Sequence, residues 1–159
     1  MKILFAGLGS IGQRHLRNLL SLRDTSIKVS AFRSTKSAPL LSENREPEHG
    51  VDIAKHYGVA VFEDIEAALE EKPDITFVTN PNSLHINIAL AAASVGSDLF
   101  IEKPLSHNFD GIDELRDVVE RHNSIVGLGY QYRFHPGIVC AKRWLERGRI
   151  GNPVSADFV

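Results

Sequence analysis

The chain has 159 residues, a formal net charge of −2, and 43% hydrophobic and 24% charged side chains, the size and balance of one globular domain. That weak acidic balance supplies no basic field for nucleic acid or an anionic membrane, and the single cysteine, Cys140, excludes an internal disulfide and suits a reducing cytoplasm. The apolar start, Ile3 to Ala6, is too short for a secretory segment, and no stretch approaches about 18 consecutive apolar residues. A cytoplasmic protein without a membrane partner is expected.

Short apolar runs alternate with longer segments of helical period, which predicts a parallel sheet wrapped by helices. Lys2 to Ala6 reads as the first strand and Ser10 to Leu22 as a helix with Ile11, Leu16, Leu19 and Leu20 on one side. Ile27 to Phe32 reads as a second strand. Serines, charges and two prolines make Ser34 to His49 a loop. A short helix from Val51 to Tyr57, a strand from Val59 to Phe62 and an acidic helix from Glu63 to Glu71 come next. Ile75 to Thr79 is a central strand, and Asn80 to Ser83 a turn in which Ser83 caps an alanine-rich helix reaching Val95. Gly96 stops that helix.

Asp98 to Ile101 is the next strand, Asn108 to His122 a charged helix, Ile125 to Leu128 a sixth strand, and Pro136 to Arg147 a last helix. In that helix Cys140 reads as a packed thiol and Trp144 as core or interface. Pro153 to Val159 alternates like a half-buried strand with nothing left to pair it. The expected organisation is therefore a dinucleotide-binding domain over residues 1–150, with 151–159 starting a second domain that is missing. The expected class is α/β, a doubly wound, mostly parallel sheet.

Gly7-x-Gly9-x-x-Gly12 lies between a predicted strand and a predicted helix, the context in which this spacing carries meaning. Gly7 permits the tight turn, Gly9 lets the backbone approach a pyrophosphate, and Gly12 lets helix and strand pack closely. The amides of Ser10 and Ile11, at the helix N-terminus, then face the phosphates. An acidic residue about 20 positions on would hold the ribose hydroxyls of NAD. Arg33-Ser34-Thr35-Lys36 stands there instead, a set suited to a 2′-phosphate, so NADP is favoured over NAD. The plainer alternative is a solvated basic loop.

Three later strand ends carry polar residues: Thr79-Asn80-Pro81-Asn82, Glu102-Lys103-Pro104 and Gly129-Tyr130-Gln131-Tyr132. Lys103, biased away from helical geometry by Pro104, can stabilise a developing alkoxide and assist proton removal beside a nicotinamide. It can equally be a surface lysine in a turn. Glu102 can orient Lys103 or the nicotinamide ribose, or simply be solvated. The seven histidines show no ligand spacing, so no metal site is expected.

Taken in order, Gly7–Gly12, Thr79-Asn80-Pro81-Asn82-Ser83-Leu84-His85, Glu102-Lys103-Pro104-Leu105 and Tyr130-Gln131-Tyr132-Arg133-Phe134-His135-Pro136 give the chain a likeness to one family. It resembles the N-terminal domain of the glucose–fructose oxidoreductase / inositol 2-dehydrogenase / rhizopine-catabolism (Gfo/Idh/MocA) family. The resemblance implies a Rossmann-type fold and Lys103 as the catalytic lysine. It implies that Thr79, Asn80, Pro81, His85 and Glu102 belong to the cofactor site and that Gln131 stands near the nicotinamide ring. It further implies an NAD(P)-dependent oxidoreductase acting on the hydroxyl group of a sugar, polyol or nucleotide sugar. A second α+β domain and a homo-oligomeric full-length protein also follow from it. The competing expectation is a non-catalytic dinucleotide-binding sensor module.

Overall fold

Most strands here are runs of three or four apolar residues, too short and too uniformly apolar to be surface ribbons. The computed structural model describes residues 1–22, 26–34, 39–42, 44 and 46–157. They fall into two units, Met1–Gly129 and Tyr130–Val159. Along the first unit run β1 (Lys2–Ala6), α1 (Ser10–Ser21), β2 (Lys28–Phe32), β3 (Pro39–Leu41), β4 (Pro47–Asp52), α2 (Ile53–Tyr57) and β5 (Ala60–Phe62). Then come α3 (Ile65–Glu70), β6 (Ile75–Val78), α4 (His85–Ser94), β7 (Asp98–Ile101), α5 (Ile112–His122) and β8 (Val126–Leu128).

Six strands form one parallel sheet in the order β5-β2-β1-β6-β7-β8. The chain starts mid-sheet, steps outward through β2 and β5, then crosses back to β6 and steps outward the other way. This is the doubly wound Rossmann arrangement, and the reversal leaves a crevice beyond the carboxyl ends of β1 and β6. Ile3, Leu4, Phe5 and Ala6 are all buried, as a central strand covered on both faces requires. Ile3 and Phe5 join Leu16, Ile53 and Ala54 in one core beneath α1 and α2. Leu4 and Ala6 join Val78, Ala89, Ala92, Ala93, Leu99 and Leu115 in the other, beneath α3, α4 and α5. Alanine at 89, 92 and 93 lets α4 lie close on the sheet, and each large aliphatic side chain in these cores contributes about 1.5–3 kcal/mol.

Apart from the tail strand, the predicted strands and helices are present with ends displaced by at most four residues, as when Asn108 to His122 begins only at Ile112. Three differences stand out. Within the predicted loop 34–49, β3 pairs antiparallel with β4, because buried Gln13 of α1 receives the hairpin: Nε2 donates to Pro39 O at 2.9 Å and Oε1 accepts Leu41 N–H at 2.8 Å. Ser83 does not cap α4. It lies in a 3-10 turn, Asn82–Leu84, closed by backbone bonds from Leu84 N to Pro81 O and from His85 N to Asn82 O. Leu20, expected on the apolar side of α1, is exposed, while Leu16 is fully buried.

The second unit holds a 3-10 turn, Gln131–Phe134, and α6 (Pro136–Glu146), with His135 Nδ1 capping α6 by accepting Gly137 N–H. The expected strand at 153–159 is absent among its described residues 153–157, and Phe158 and Val159 lie outside the description. A strand needs a partner edge, and no described segment of this unit is a strand. Cys140 is exposed rather than packed, and Trp144 is 47% exposed, because one short helix supplies no core of its own.

Candidate functional site

A cavity of about 500 Å³ opens at the topological reversal. Its walls are the loop Gly7 to Ile11, the end of β2 at Phe32 to Ser34, and the end of β6 at Thr79 to Pro81 with Leu84.

The three glycines meet three separate requirements. Gly7 adopts φ +102°, and a Cβ on it would lie 2.9 Å from Asn80 N, so the loop crosses the end of β6 at backbone contact. A Cβ on Gly12 would overlap the Gly7 carbonyl oxygen and lie 2.9 Å from Thr79 Oγ1. Gly9 differs from both: it is extended at φ −69° and ψ −171°, and a Cβ there meets no described atom within 4 Å. Neither the backbone nor the packing calls for glycine at 9, which leaves the close approach of a ligand.

Thr79 fastens the loop, its hydroxyl donating to Gly7 O at 2.7 Å and its amide to Ala6 O at 3.0 Å. Behind the loop α1 begins without a side-chain cap among the described residues. Its first N–H groups therefore present partial positive charge where Ser10 and Ile11 line the cavity. Asn80 also lines it, and its side-chain Oδ1 and Nδ2 are buried with no hydrogen-bond partner among the described residues. A buried unsatisfied amide is costly, and a bound polar ligand is the natural way to complete it. The open approach at Gly9, the uncapped helix and the Asn80 amide all fit a dinucleotide.

At the end of β2, Arg33 is 6% exposed and its Nη1 lies 3.5 Å from Asp52 Oδ2. Asp52 Oδ1 also caps α2, accepting Ala54 N–H at 3.0 Å and Lys55 N–H at 3.2 Å. Ser34 stands exposed at the rim, and Thr35 and Lys36 lie outside the described residues.

One strand further, beyond β6, β7 ends in Glu102-Lys103-Pro104. Lys103 is exposed, its side chain open to solvent. Glu102 is not solvated: it is 7% exposed, with Oε1 2.7 Å from His15 Nε2 and Oε2 accepting Lys103 N–H at 3.2 Å. His85 is also turned inward. It is 2% exposed, with Nδ1 2.9 Å from Pro104 O and Nε2 2.9 Å from Asn80 O. It braces the ends of β6 and β7 instead of lining the cavity. Both acceptors are carbonyls, so a neutral ring serves one at a time.

Gly7, Gly9, Ser10, Ile11, Arg33, Ser34, Thr79, Asn80 and Pro81 thus surround one cavity, with Gly12 packed beneath its loop. Lys103 and Glu102 stand at the neighbouring strand end, and Gln131 belongs to the second unit, where it is exposed. Sequence reasoning passed over His15, Gln13 and Asp52. His15 follows Gly12 by three residues and so shares its sheet-facing side of α1, a signal that was available. Gln13 and Asp52 act through a hairpin whose presence the local sequence did not announce.

The family model described as an oxidoreductase family with an NAD-binding Rossmann fold matches residues 1–130. A levoglucosan dehydrogenase of Pseudarthrobacter phenanthrenivorans is 32% identical over 111 residues, 69% of this chain and 28% of that protein. The NAD(+)-dependent scyllo-inositol 2-dehydrogenase of Bacillus subtilis is 27% identical over 93% of this chain and 41% of its own length. The crystal structure of scyllo-inositol dehydrogenase from Lactobacillus casei with bound NAD(H) and scyllo-inositol superposes with a TM-score of 0.75 at 26% identity, covering 96% of this chain and 42% of that one. The chain spans less than half the length of these relatives.

Proposed function

Since the chain belongs to the Gfo/Idh/MocA oxidoreductase family, through its NAD-binding Rossmann domain, we propose that it is the cofactor-binding half of an NAD(P)-dependent oxidoreductase acting on a sugar or polyol hydroxyl. The nicotinamide supplies the hydride chemistry when bound. The chain's own residues bind and orient: the α1 N-terminus and the amides of Ser10 and Ile11 take the pyrophosphate, and the Asn80 amide completes its hydrogen bonds on the cofactor. Lys103 then serves the reacting oxygen, its ammonium stabilising negative charge there and assisting proton movement. Residues 1–150 form the cofactor-binding domain in this reading, and the residues that read the substrate lie in the remaining length of the relatives. A homo-oligomeric, cytoplasmic enzyme fits the same reading.

The observation that carries it is the placement of the glycine loop, Asn80 and Lys103 at the carboxyl ends of three adjacent strands, β1, β6 and β7. The test uses the full-length protein, a panel of inositols, aldoses and anhydrosugars, and both oxidised cofactors. Turnover of at least one substrate is expected. Lys103→Ala lowers kcat by about 10²- to 10⁴-fold, the usual worth of a positioned acid–base group, while NAD(P)H affinity holds. Unchanged turnover in that variant removes Lys103 from the chemistry, and cofactor binding without turnover of any substrate favours the sensor reading.

NADP is the favoured cofactor because arginine, not a carboxylate, ends β2 and lines the cavity. Fluorescence titration with NADPH and NADH decides it. The expected result is tighter NADPH binding, and tighter NADH binding overturns the preference.

A further inference from the structure

Both oxygens of the Glu102 carboxylate are engaged inside the protein. Oε1 meets His15 Nε2 at 2.7 Å and Oε2 accepts the backbone N–H of Lys103 at 3.2 Å. A carboxylate only accepts, so Nε2 carries the proton. The contact is sheltered, with the two side chains 17% and 10% exposed, and a charge-assisted bond of that length in a low-dielectric setting is a strong one.

Neighbours hold both partners. A Cβ on Gly129 would lie 3.0–3.2 Å from the carboxylate atoms, so it is the bare glycine at the end of β8 that leaves the carboxylate its place. The His15 ring packs edge-on against Phe100 at 5.0 Å and tilts on Phe77 at 5.8 Å. Pro104 has no N–H, so the Lys103 amide is the last backbone donor before the proline, and the Glu102 carboxylate accepts it. From the other side, His85 holds the Pro104 carbonyl.

We propose that His15 is a positioning residue for Lys103. Through Glu102 it fixes the peptide that carries the lysine, and it does so from the same helix whose N-terminus receives the cofactor phosphates. The lysine is thereby registered against the cofactor by one rigid element, α1, rather than by the turn alone. Removing the His15 donor leaves a buried carboxylate short of a partner, which then turns toward water and releases the Lys103 amide. The proposal rests on the catalytic reading of Lys103.

The experiment compares His15→Phe, which keeps an aromatic ring against Phe100 but donates nothing, with His15→Gln, whose amide can still donate to Glu102. Three quantities are read on the full-length protein: kcat, the NADPH dissociation constant, and amide hydrogen exchange in a peptide spanning residues 99–103. His15→Phe is expected to lower kcat by about 10- to 100-fold, as a small misplacement of a reacting group does, with the NADPH dissociation constant within about threefold of wild type, since a residue acting through Lys103 spares uniform binding. Exchange in residues 99–103 accelerates, and His15→Gln recovers both readouts. Wild-type kcat in His15→Phe, equal impairment in the two variants, or a loss confined to NADPH binding each overturns the proposal. The exchange readout does not need turnover. If the wild-type protein oxidises nothing, the oxidoreductase reading fails by itself, while unchanged exchange in His15→Phe overturns the clamp separately.

Discussion

Gly9 and Gly12 belong to the same motif yet resist substitution for opposite reasons. Gly12 is buried against the Gly7 carbonyl and the Thr79 hydroxyl, so Gly12→Ala forces backbone apart and destabilises the fold by about 1–3 kcal/mol, as overpacking does. Gly9 already has a backbone any residue adopts and no described atom within reach of a Cβ. Gly9→Ala therefore leaves stability within about 0.5 kcal/mol and instead weakens NAD(P)H binding tenfold or more, about 1.4 kcal/mol. Denaturation and cofactor titration on the two variants check this; equal loss of stability in both would mean that position 9 serves packing. Asp52 offers a second test at this scale. Its carboxylate faces Arg33 at 3.5 Å while capping α2, and asparagine keeps the cap but drops the charge that repels a phosphate. Asp52→Asn is expected to tighten NADPH binding with NADH binding unchanged, read by titration of both; equal shifts for the two cofactors would detach Arg33 from the 2′-phosphate.

At the scale of elements, α1 is where most of the site converges. Its N-terminus faces the cavity, Gly12 packs under the loop, Gln13 and Arg17 hold the β3–β4 hairpin, and His15 reaches Glu102. Gln13 is 1% exposed, with its amide nitrogen donating to Leu8 O and Pro39 O and its oxygen accepting Leu41 N–H. Gln13→Leu strands those backbone groups, each at a cost of about 1–3 kcal/mol, and loosens the hairpin before the sheet. Hydrogen exchange is the check: faster exchange confined to residues 39–52 is expected, and uniform loosening of β1 and β6 would contradict it. The same hairpin explains what the sequence left hidden. Strands such as Lys2 to Ala6 and Asp98 to Ile101 were legible because a parallel, doubly covered strand needs only a short apolar run bounded by turn residues. The glycine loop was legible because its spacing and its neighbours agreed. Pro39-Leu40-Leu41, by contrast, is a strand only because Gln13, 26 to 28 residues earlier, accepts and donates to it, and no local pattern encodes that. His15 and Glu102 lie 87 residues apart, so their pairing became visible only once β1 and α1 stood beside β6 and β7. The tail failed for the complementary reason: alternation at 153–157 is permissive for a strand, and pairing decides.

On the scale of the whole molecule, the first unit carries a complete core on each face of its sheet and every element that walls the cavity. Cofactor binding is therefore expected to need nothing beyond these residues. Turnover is expected to need more, because the relatives are more than twice as long. A polypeptide of these 159 residues is expected to bind NADPH and to be stabilised by it. At a free concentration 100 times the dissociation constant the gain is about 2.7 kcal/mol, a rise in Tm of ~5–10 °C for a domain of this size. The same polypeptide is expected to reduce or oxidise no sugar at a measurable rate, whereas a chain of the relatives' length is expected to. Parallel thermal-shift and absorbance assays at 340 nm on the two proteins separate the steps. Turnover by the 159-residue polypeptide alone would place the substrate wall within the described fold, and a Tm indifferent to NADPH would mean that the Gly7–Gly12 loop and Asn80 do not form a working cofactor site without the rest of the chain.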